Sequence, residues 1–304
     1  MRIALIVNKV AGNGGCGQKY LGVAGYFQSA GIDFTPMFTE KPGHATELAR
    51  QAVQAGYEAV VSMGGDGTLN EVVNGVAGSG VILGFIPAGS GNDFGRTFGV
   101  SSRDTVGACQ VIASAKVREI NIGRIGERYF INIAGAGFDA EVGLTANTWG
   151  KRYFRGYLAY VASILRQLVF YTPQEVDIEL DGQVRHAKVW FVAIANARYF
   201  GGGLMIAPQA ELDDDLFDVC IVKEITKLEL IKMIPKVFKG EHVHHQAVEM
   251  HRARRVRISS LAKMAVQADG EVLGILPQEF HIAETKQKVF LPLRTPTLPQ
   301  YIIK

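Results

Sequence analysis

Residues 61–75, VSMGGDGTLNEVVNG, join an apolar strand to a helix through a turn that contains three glycines. The apolar residues of the predicted helix recur at helical spacing, and they are Leu69, Val72, Val73 and Val76. A helix start presents unpaired N–H groups, and glycines let a phosphate approach the backbone. The alternative is a tight turn that needs only glycine geometry. Asp66 favours the functional interpretation, because an acid beside a phosphate needs a metal ion or a substrate hydroxyl.

The rest of the chain changes character near residue 120. Before that point short apolar strands alternate with helical patterns, which predicts a doubly wound, largely parallel α/β sheet with its ligand crevice at the carboxyl ends of the strands. After it, strand patterns and Asp-Gly turns predict a β-sandwich or barrel-like domain with one or two helices. A chain of 304 residues with 48% hydrophobic content is long enough for these two domains. The predicted strands are 3–7, 35–39, 59–63, 81–86, 175–180, 187–195, 217–222 and 254–259, and the main early helices are 17–30, 44–55 and 103–115.

Two further glycine-rich loops follow predicted strands. Gly12, Gly14 and Gly17 form a literal GxGxxG, but the acidic residue of a dinucleotide site is missing at the end of the next strand, which disfavours an NAD(P)-dependent oxidoreductase. The second loop is IPAGSGNDFGRTFG, residues 86–99. Loops at successive strand ends converge on one crevice, so the three together predict a site for a large polyphosphate.

Composition limits the classes of partner. The formal charge of +3 is spread along the chain, so nucleic acid is not indicated. Cys16, Cys109 and Cys220 lie far apart and are expected to be reduced thiols of a cytoplasmic protein. The apolar run near the N-terminus is too short for a signal-peptide core, and no run approaches the length of a spanning helix. Membrane contact would therefore be peripheral.

Four ordered motifs carry a resemblance to a known family. GGDGTLNEVVNG (64–75), PAGSGNDFGR (87–96), ELDDDLFDV (211–219) and ADGE (268–271) together resemble the diacylglycerol kinase catalytic-domain family, especially its soluble bacterial lipid kinases. The resemblance covers essentially the whole chain. It implies an ATP-binding α/β domain with a phosphofructokinase-like nucleotide site (1–122), a β-rich lipid-substrate domain (123–285), and a final segment (286–304) that returns to the first domain.

The resemblance also implies an activity and a set of site residues. The activity is ATP- and Mg²⁺-dependent transfer of the γ-phosphate to a lipid hydroxyl, with Glu271 as the proton acceptor and Asp269 beside it. A structural Mg²⁺ site would use Glu211, Asp214 and the carbonyl of Leu216, which are oxygen ligands of the kind that this cation prefers. The implied nucleotide-binding residues are Asn8, Thr39, Gly64, Gly65, Asp66, Gly67, Thr68, Leu69, Asn70 and Ser90.

Several alternatives stay open. The chain departs from the usual family pattern at NKVAG near residue 8, at Ser90 and at Asp215, and none of these changes removes a functional group from the expected site. The acceptor lipid is not specified: a diacylglycerol, a sphingoid base, a prenol and phosphatidylglycerol all fit, and a homodimer is compatible with the sequence. A soluble-substrate kinase of the NAD kinase type and a catalytically weak lipid-binding or regulatory protein are the competing functions.

Two other segments have a structural and a functional interpretation. The run HVHHQAVEMH contains four histidines (His242, His244, His245 and His251), and a solvated loop is favoured over a metal site because no fixed ligand spacing supports one. The segment KRYFRGYLAYVASILRQLVFY forms a helical apolar stripe. Core packing is its default interpretation, and contact with acyl chains at a bilayer surface is the alternative. The stripe is Tyr157, Val161, Ile164, Leu165 and Leu168, preceded by Lys151, Arg152 and Arg155.

Overall fold

The computed structural model describes residues 1–100, 104–145 and 157–292, with side chains from residue 162 onward in the third range. The chain divides into two compact units. Unit 1 consists of Met1–Ile122 and the segment that begins at Ala283, and unit 2 is Gly123–Ile282. Unit 1 is built on a mostly parallel sheet with helices, and unit 2 is built on an antiparallel sheet, so the predicted fold class is confirmed.

Unit 1 alternates strands and helices along the chain, as its sequence pattern predicts. The six strands lie in the order β2-β1-β3-β4-β19-β5, and β1 to β4 are parallel. The central strands β1 and β3 are buried along their whole length, which explains their continuous apolar sequence. The elements are β1 (Ile3–Val7), α1 (Gly15–Ser29), β2 (Phe34–Phe38), α2 (His44–Gln54), β3 (Ala59–Gly64), α3 (Asp66–Val76), β4 (Ile82–Pro87), α4 (Asp93–Thr97), α5 (Thr105–Ala113), β5 (Val117–Ile120) and β19 (Gln287–Phe290).

The late strand β19 completes this sheet. It pairs in parallel with β4 and antiparallel with β5, so it lies between two strands that are formed more than 160 residues earlier in the chain. The buried side-chain amide of Gln287 donates to the carbonyl of Val81 at 2.8 Å, which adds a polar contact beside the β4 edge.

Unit 2 is dominated by one antiparallel sheet of eleven strands, with a separate hairpin of two strands. The long strand β10 organises it, because its first half pairs with β9 and its second half pairs with β8 and β13. The strands are β6 (Gly123–Ile125), β7 (Arg128–Phe130), β8 (Ile133–Gly137), β9 (Gln174–Leu180), β10 (Gln183–Ala195), β11 (Tyr199–Phe200), β12 (Leu204–Met205), β13 (Phe217–Lys223), β14 (Val248–Ala253), β15 (Arg255–Ser259), β16 (Ala265–Ala268), β17 (Glu271–Ile275) and β18 (Gln278–Ile282).

Helices of unit 2 pack on this sheet through an apolar cluster around Trp190. Within the described ranges there are three α-helices, α6 (Phe138–Thr145), α7 (Tyr157–Phe170) and α8 (Lys227–Val237), so the expectation of one or two was too low. None of the helices found in those ranges is both long and apolar enough to cross a bilayer. The three cysteines are buried as free thiols.

Candidate functional site

Three loops of unit 1 meet where strands β1, β3 and β4 end. The Asn8 side chain donates to the Thr68 hydroxyl at 3.0 Å, which joins the first loop to the start of α3. A Cβ on Gly12 would lie 2.5 Å from the carbonyl oxygen of Ala88. A Cβ on Gly65 would lie 3.2 Å from the Cα of Gly89, so a larger residue at either position would push the loops apart. The three predicted glycine-rich loops are therefore in mutual contact.

The start of α3 combines a helix N-terminus with an acid. Gly65 is the N-cap and Asp66 is the first helical residue. The Phe94 N–H donates to Asp66 Oδ1 at 3.3 Å, so the third loop reaches this carboxylate. Burial raises the pKa of Asp66, and the nearby amides oppose that rise. A partly desolvated carboxylate would be stabilised by a cation, so Asp66 could hold the Mg²⁺ that the sequence analysis expects.

The remaining nucleotide-site candidates have different surroundings. Thr39 follows β2, and its backbone N–H donates to the carbonyl of Val7 at 3.0 Å. Gly67 and Ser90 are exposed. Leu69 is fully buried, and its backbone N–H donates to the Gly65 carbonyl at 3.0 Å. The Leu69 side chain therefore has a packing role. Asn70 is also buried, and its carbonyl accepts from the side chain of Asn74 at 2.9 Å.

Glu71 is a site-supporting residue that the sequence analysis missed. Its two carboxylate oxygens accept the N–H groups of Gly43 and Ala45 at 2.9 and 3.0 Å, at the start of α2. Gly75, one turn further along α3, lets the helices approach, because a Cβ there would lie 2.5 Å from that of Ala49. The second half of the GGDGTLNEVVNG motif thus fixes α3 against α2. A glutamate within a glycine-rich motif gave no separate signal of this role.

In unit 2, Asp269 anchors a backbone loop. Its Oδ1 accepts the N–H groups of Asn132 and Ile133 at 2.9 and 3.0 Å, and its Oδ2 accepts that of Ile131 at 2.8 Å. Its own backbone is left-handed, with φ of 48°, a conformation that Asp tolerates better than most residues. Both carboxylate oxygens are engaged by main-chain donors, which suits an anchor better than a proton acceptor.

Glu271 lies two residues further, at the start of β17, and is more accessible. Its side chain is 53% exposed and forms an ion pair with Arg128, which belongs to β7. Arg128 was not among the sequence candidates, because nothing in local spacing relates two residues 143 positions apart. The pair holds an accessible carboxylate in a defined direction.

Two buried asparagines support the same corner of unit 2. The Asn196 side chain donates to the Ile131 carbonyl at 2.8 Å, and the Asn196 backbone N–H donates to the Asn132 carbonyl at 2.9 Å. Asn132 and Asn196 are both buried at ends of apolar strands. A lone asparagine after an apolar run is the sequence signal that could have found them.

The predicted metal ligands lie in the loop before β13. Asp214 Oδ1 accepts the Leu216 N–H at 3.1 Å, and Oδ2 is ion-paired with Arg252. Burial, with a smaller contribution from the charge of Glu211, raises the pKa of the Asp218 carboxyl to about 6. Over the described ranges no three His, Cys, Asp or Glu side chains form a metal-binding group. The predicted magnesium site would use only two carboxylates, because its third ligand is the backbone carbonyl of Leu216. The absence of a group of three such side chains therefore does not test it, and this site stays a prediction.

An apolar cavity of about 130 Å³ lies within unit 2, between the sheet and its helices. Its polar lining includes Asp139, whose Oδ2 accepts from Gln267 at 3.0 Å. Burial raises the pKa of Asp139 to about 6. The apolar lining includes residues of all three helices: Phe138, Val142, Ile164, Leu168, Leu230, Met233, Ile234 and Val237. This volume can hold part of an apolar ligand.

His242 does not lie in the solvated loop that the sequence analysis expected. It lies in a 3₁₀ helix, Glu241–His244, is fully buried, and donates from Nε2 to the Ile206 carbonyl at 3.0 Å. Burial lowers its pKa to about 4, so the ring is neutral. The solvated-loop interpretation of the histidine run was therefore wrong at this position, where the ring also lines the cavity.

The helical stripe of α7 has two faces. Leu168 is buried and lines the cavity together with Ile164, whereas Leu165 is 57% exposed. Core packing therefore accounts for part of the stripe only. The side chains of Tyr157 and Val161, and the preceding Lys151, Arg152 and Arg155, lie outside the described residues.

Comparisons with known proteins agree with this architecture. The model of the diacylglycerol kinase catalytic domain matches residues 2–125, and that of the YegS C-terminal NAD kinase beta sandwich-like domain matches residues 132–291. A crystal structure of a diacylglycerol kinase from Bacillus anthracis str. Sterne superposes with a TM-score of 0.75, covering 97% of this chain and 98% of that chain at 21% identity. That similarity supports the fold alone.

Curated relatives are similar over most of their length. A diacylglycerol kinase of Bacillus subtilis (strain 168) is 34% identical over 272 residues, covering 86% of this chain and 89% of that protein. A diacylglycerol kinase of Mycobacterium tuberculosis (strain ATCC 25618 / H37Rv) is 29% identical over 297 residues, covering 96% and 95%. The resemblance carried by the four motifs is thereby confirmed, and the chain belongs to the diacylglycerol kinase family.

Proposed function

We propose that this protein is an ATP-dependent lipid kinase that transfers the γ-phosphate to the hydroxyl of a diacylglycerol or a closely related lipid. The observation that carries the proposal is the contact of three glycine loops around the first turn of α3. Backbone approach without side chains, together with a helix N-terminus, is the arrangement that binds phosphates. The names of the curated relatives favour diacylglycerol as the acceptor.

The chain's own residues have separate tasks in this reaction. The loops of unit 1 bind and orient the phosphates, and Gly65 and Gly89 approach each other so closely that neither position has room for a side chain. Asp66 would hold a magnesium ion that enters with the nucleotide. Bound Mg²⁺ supplies neutralisation of the phosphate charge during transfer.

The acceptor hydroxyl must lose its proton as it attacks. Its oxygen forms a bond to the γ-phosphorus while the bond from that phosphorus to the bridging oxygen breaks, and ADP leaves. Glu271 is the proposed proton acceptor, because it is exposed and aligned by Arg128. Asp269 acts indirectly, since its three amide contacts fix residues 131–133, where the loop after β7 enters β8.

The apolar cavity of unit 2 supports a lipid over a soluble substrate. It is lined mainly by aliphatic and aromatic side chains, with Asp139 and His242 as its ionisable members. A substrate of the NAD kinase type carries two riboses and a charged pyrophosphate, which such an apolar lining does not complement. A single acyl chain matches its chemistry.

The test is transfer of radiolabelled phosphate from ATP, with Mg²⁺, into dioleoylglycerol in mixed micelles and, separately, into a total lipid extract. We expect labelled phosphatidic acid, loss of transfer on chelation of Mg²⁺, and loss in a Glu271→Gln variant. Label in another lipid class would redirect the acceptor. ATP binding without transfer to any lipid would support the catalytically weak lipid-binding alternative, and label in NAD would support the soluble-substrate alternative.

A further inference from the structure

Helix α8 exposes an apolar stripe on its outer side. Leu228, Ile231, Pro235 and Phe238 recur at spacings of three, four and three residues, which places them along one line of the helix and its C-cap. Leu228 is 61% exposed and Ile231 is 45% exposed. The opposite side is buried through Leu230 and Met233. One helix therefore carries an inner apolar face and a separate outer one, which core packing does not explain.

The flank of this stripe is basic. Lys232, Lys236 and Lys239 are exposed and recur at spacings of four and three residues, so they form a line beside the apolar one. The segment 227–239 contains four lysines and one glutamate, Glu229, which is engaged in the capping box with Thr226. An exposed apolar line beside a line of lysines is typical of helices that lie in the interface of an anionic bilayer.

The stripe is continuous with the cavity. Phe238 is 46% exposed and also lines the cavity, so one ring belongs to both surfaces. The start of α8 is tied to the end of α7, because Lys227 Nζ donates to the Val169 carbonyl at 2.5 Å. Val169 and Phe170 are themselves largely exposed. A lipid surface that covered the stripe would therefore lie next to the part of the cavity wall that Phe238 forms.

We propose that the outer face of α8, defined by Leu228, Ile231 and Phe238 with Lys232, Lys236 and Lys239, docks on an anionic lipid surface. The lysines hold the helix by charge and the stripe enters the boundary between headgroups and acyl chains. The proposal rests on the proposed function for the identity of the molecule that enters the cavity. Docking itself is measurable without turnover.

Charge and chemistry favour this occupant over a protein. A second copy of the chain would bring the same lysine line against itself at a two-fold contact, and the like charges would repel. An anionic bilayer supplies apolar depth and negative charge over the whole face. Binding should therefore need anionic lipid and weaken as salt increases.

The experiment measures sedimentation of the full chain with vesicles of phosphatidylcholine containing 30% phosphatidylglycerol, and with vesicles of phosphatidylcholine alone. The variant is Leu228→Gln with Ile231→Gln. The matched control is Leu21→Gln with Val184→Gln, which removes two exposed apolar side chains from α1 and β10. We expect at least a tenfold loss of the partition coefficient on anionic vesicles in the α8 variant, less than twofold in the control, and weak binding of all proteins to neutral vesicles.

A second measurement separates docking from chemistry. The α8 variant should phosphorylate a short-chain diacylglycerol dispersed as monomers within twofold of the parent, and lose most activity on diacylglycerol embedded in vesicles. Equal vesicle binding by the α8 variant and the parent, or no binding by the parent, would overturn the docking proposal. A parent dimer that the α8 variant dissociates would also overturn it, in favour of a second copy. Failure of the proposed function would appear differently: vesicle docking would persist and neither substrate would be phosphorylated.

Discussion

Replacing Asp269 with asparagine would separate an anchoring carboxylate from a catalytic one. The exchange preserves size and the tolerance for the left-handed backbone at this position, where φ is 48°. The asparagine oxygen can still accept from Asn132 and Ile133, but its NH₂ group would face the Ile131 N–H as donor against donor. The variant therefore loses one hydrogen bond and weakens two.

The magnitude follows from these three contacts. Losing a hydrogen bond to a charged acceptor costs about 1.5–3 kcal/mol, and converting the two others from charged to neutral costs about 0.5 kcal/mol each. We expect the free energy of unfolding of unit 2 to fall by about 2.5–4 kcal/mol. With a urea dependence of about 2 kcal/mol per molar, the midpoint should fall by about 1–2 M.

Tryptophan fluorescence during urea unfolding is the assay, because both tryptophans of the chain, Trp149 and Trp190, belong to the sequence of unit 2. Glu271→Gln is the matched control. Its ion pair with Arg128 is half exposed, so the midpoint should move by less than about 0.3 M while lipid phosphorylation falls by roughly 10²–10⁴-fold. Folded Asp269→Asn should keep activity within about tenfold. An unchanged midpoint with a kinetic defect equal to that of Glu271→Gln would refute the anchoring role and return Asp269 to the chemistry.

Three other changes have definite outcomes. Gly65→Val should abolish thermal stabilisation by Mg-ATP, because its Cβ would already lie 3.2 Å from the Gly89 Cα. The control Gly22→Val, at an open position of α1, should keep that thermal stabilisation. Burial raises the pKa of Asp139 from 3.8 to about 6. The native state therefore binds more protons than the unfolded state between these two pH values, so the free energy of unfolding should decrease as pH rises through that interval. Urea titrations at several pH values should show that this pH dependence weakens in Asp139→Asn. Glu71→Ala removes the acceptor of two N–H groups at the start of α2 and should lower the free energy of unfolding, measured by circular dichroism, by about 1–2 kcal/mol. The control Glu47→Ala, at an exposed position, should change it by less than about 0.5 kcal/mol.

The sequence is most informative where local patterns decide the structure. Alternating strands and helices predicted unit 1, and β3 and α3 lie within a few residues of their expected positions. The contact of Gly12 with Ala88 follows from a general rule, because parallel strands end at the same edge of a sheet. Fold class was therefore accessible without coordinates.

What the sequence did not reveal depends on distant pairing. The partnership of Arg128 with Glu271 and the amide contacts of Asp269 join segments more than 130 residues apart, and no periodicity records such contacts. His242 was misjudged because a histidine-rich run suggests solvent, whereas tertiary packing covered this ring and gave it a carbonyl partner. The two faces of α8 are also invisible in a simple amphipathic pattern, since both contain apolar residues.

Because β19 comes late in the sequence, the sheet of unit 1 stays incomplete during most of synthesis. Until residues 287–290 leave the ribosome, β5 has no neighbour in the unit 1 sheet and one edge of β4 remains open. All of unit 2 is made during that interval, so the nascent protein carries an unpaired strand edge of the kind that attracts other chains. The first unit to emerge is therefore the last to be completed, and a fragment that stops at residue 122 would lack the strand that closes its own sheet.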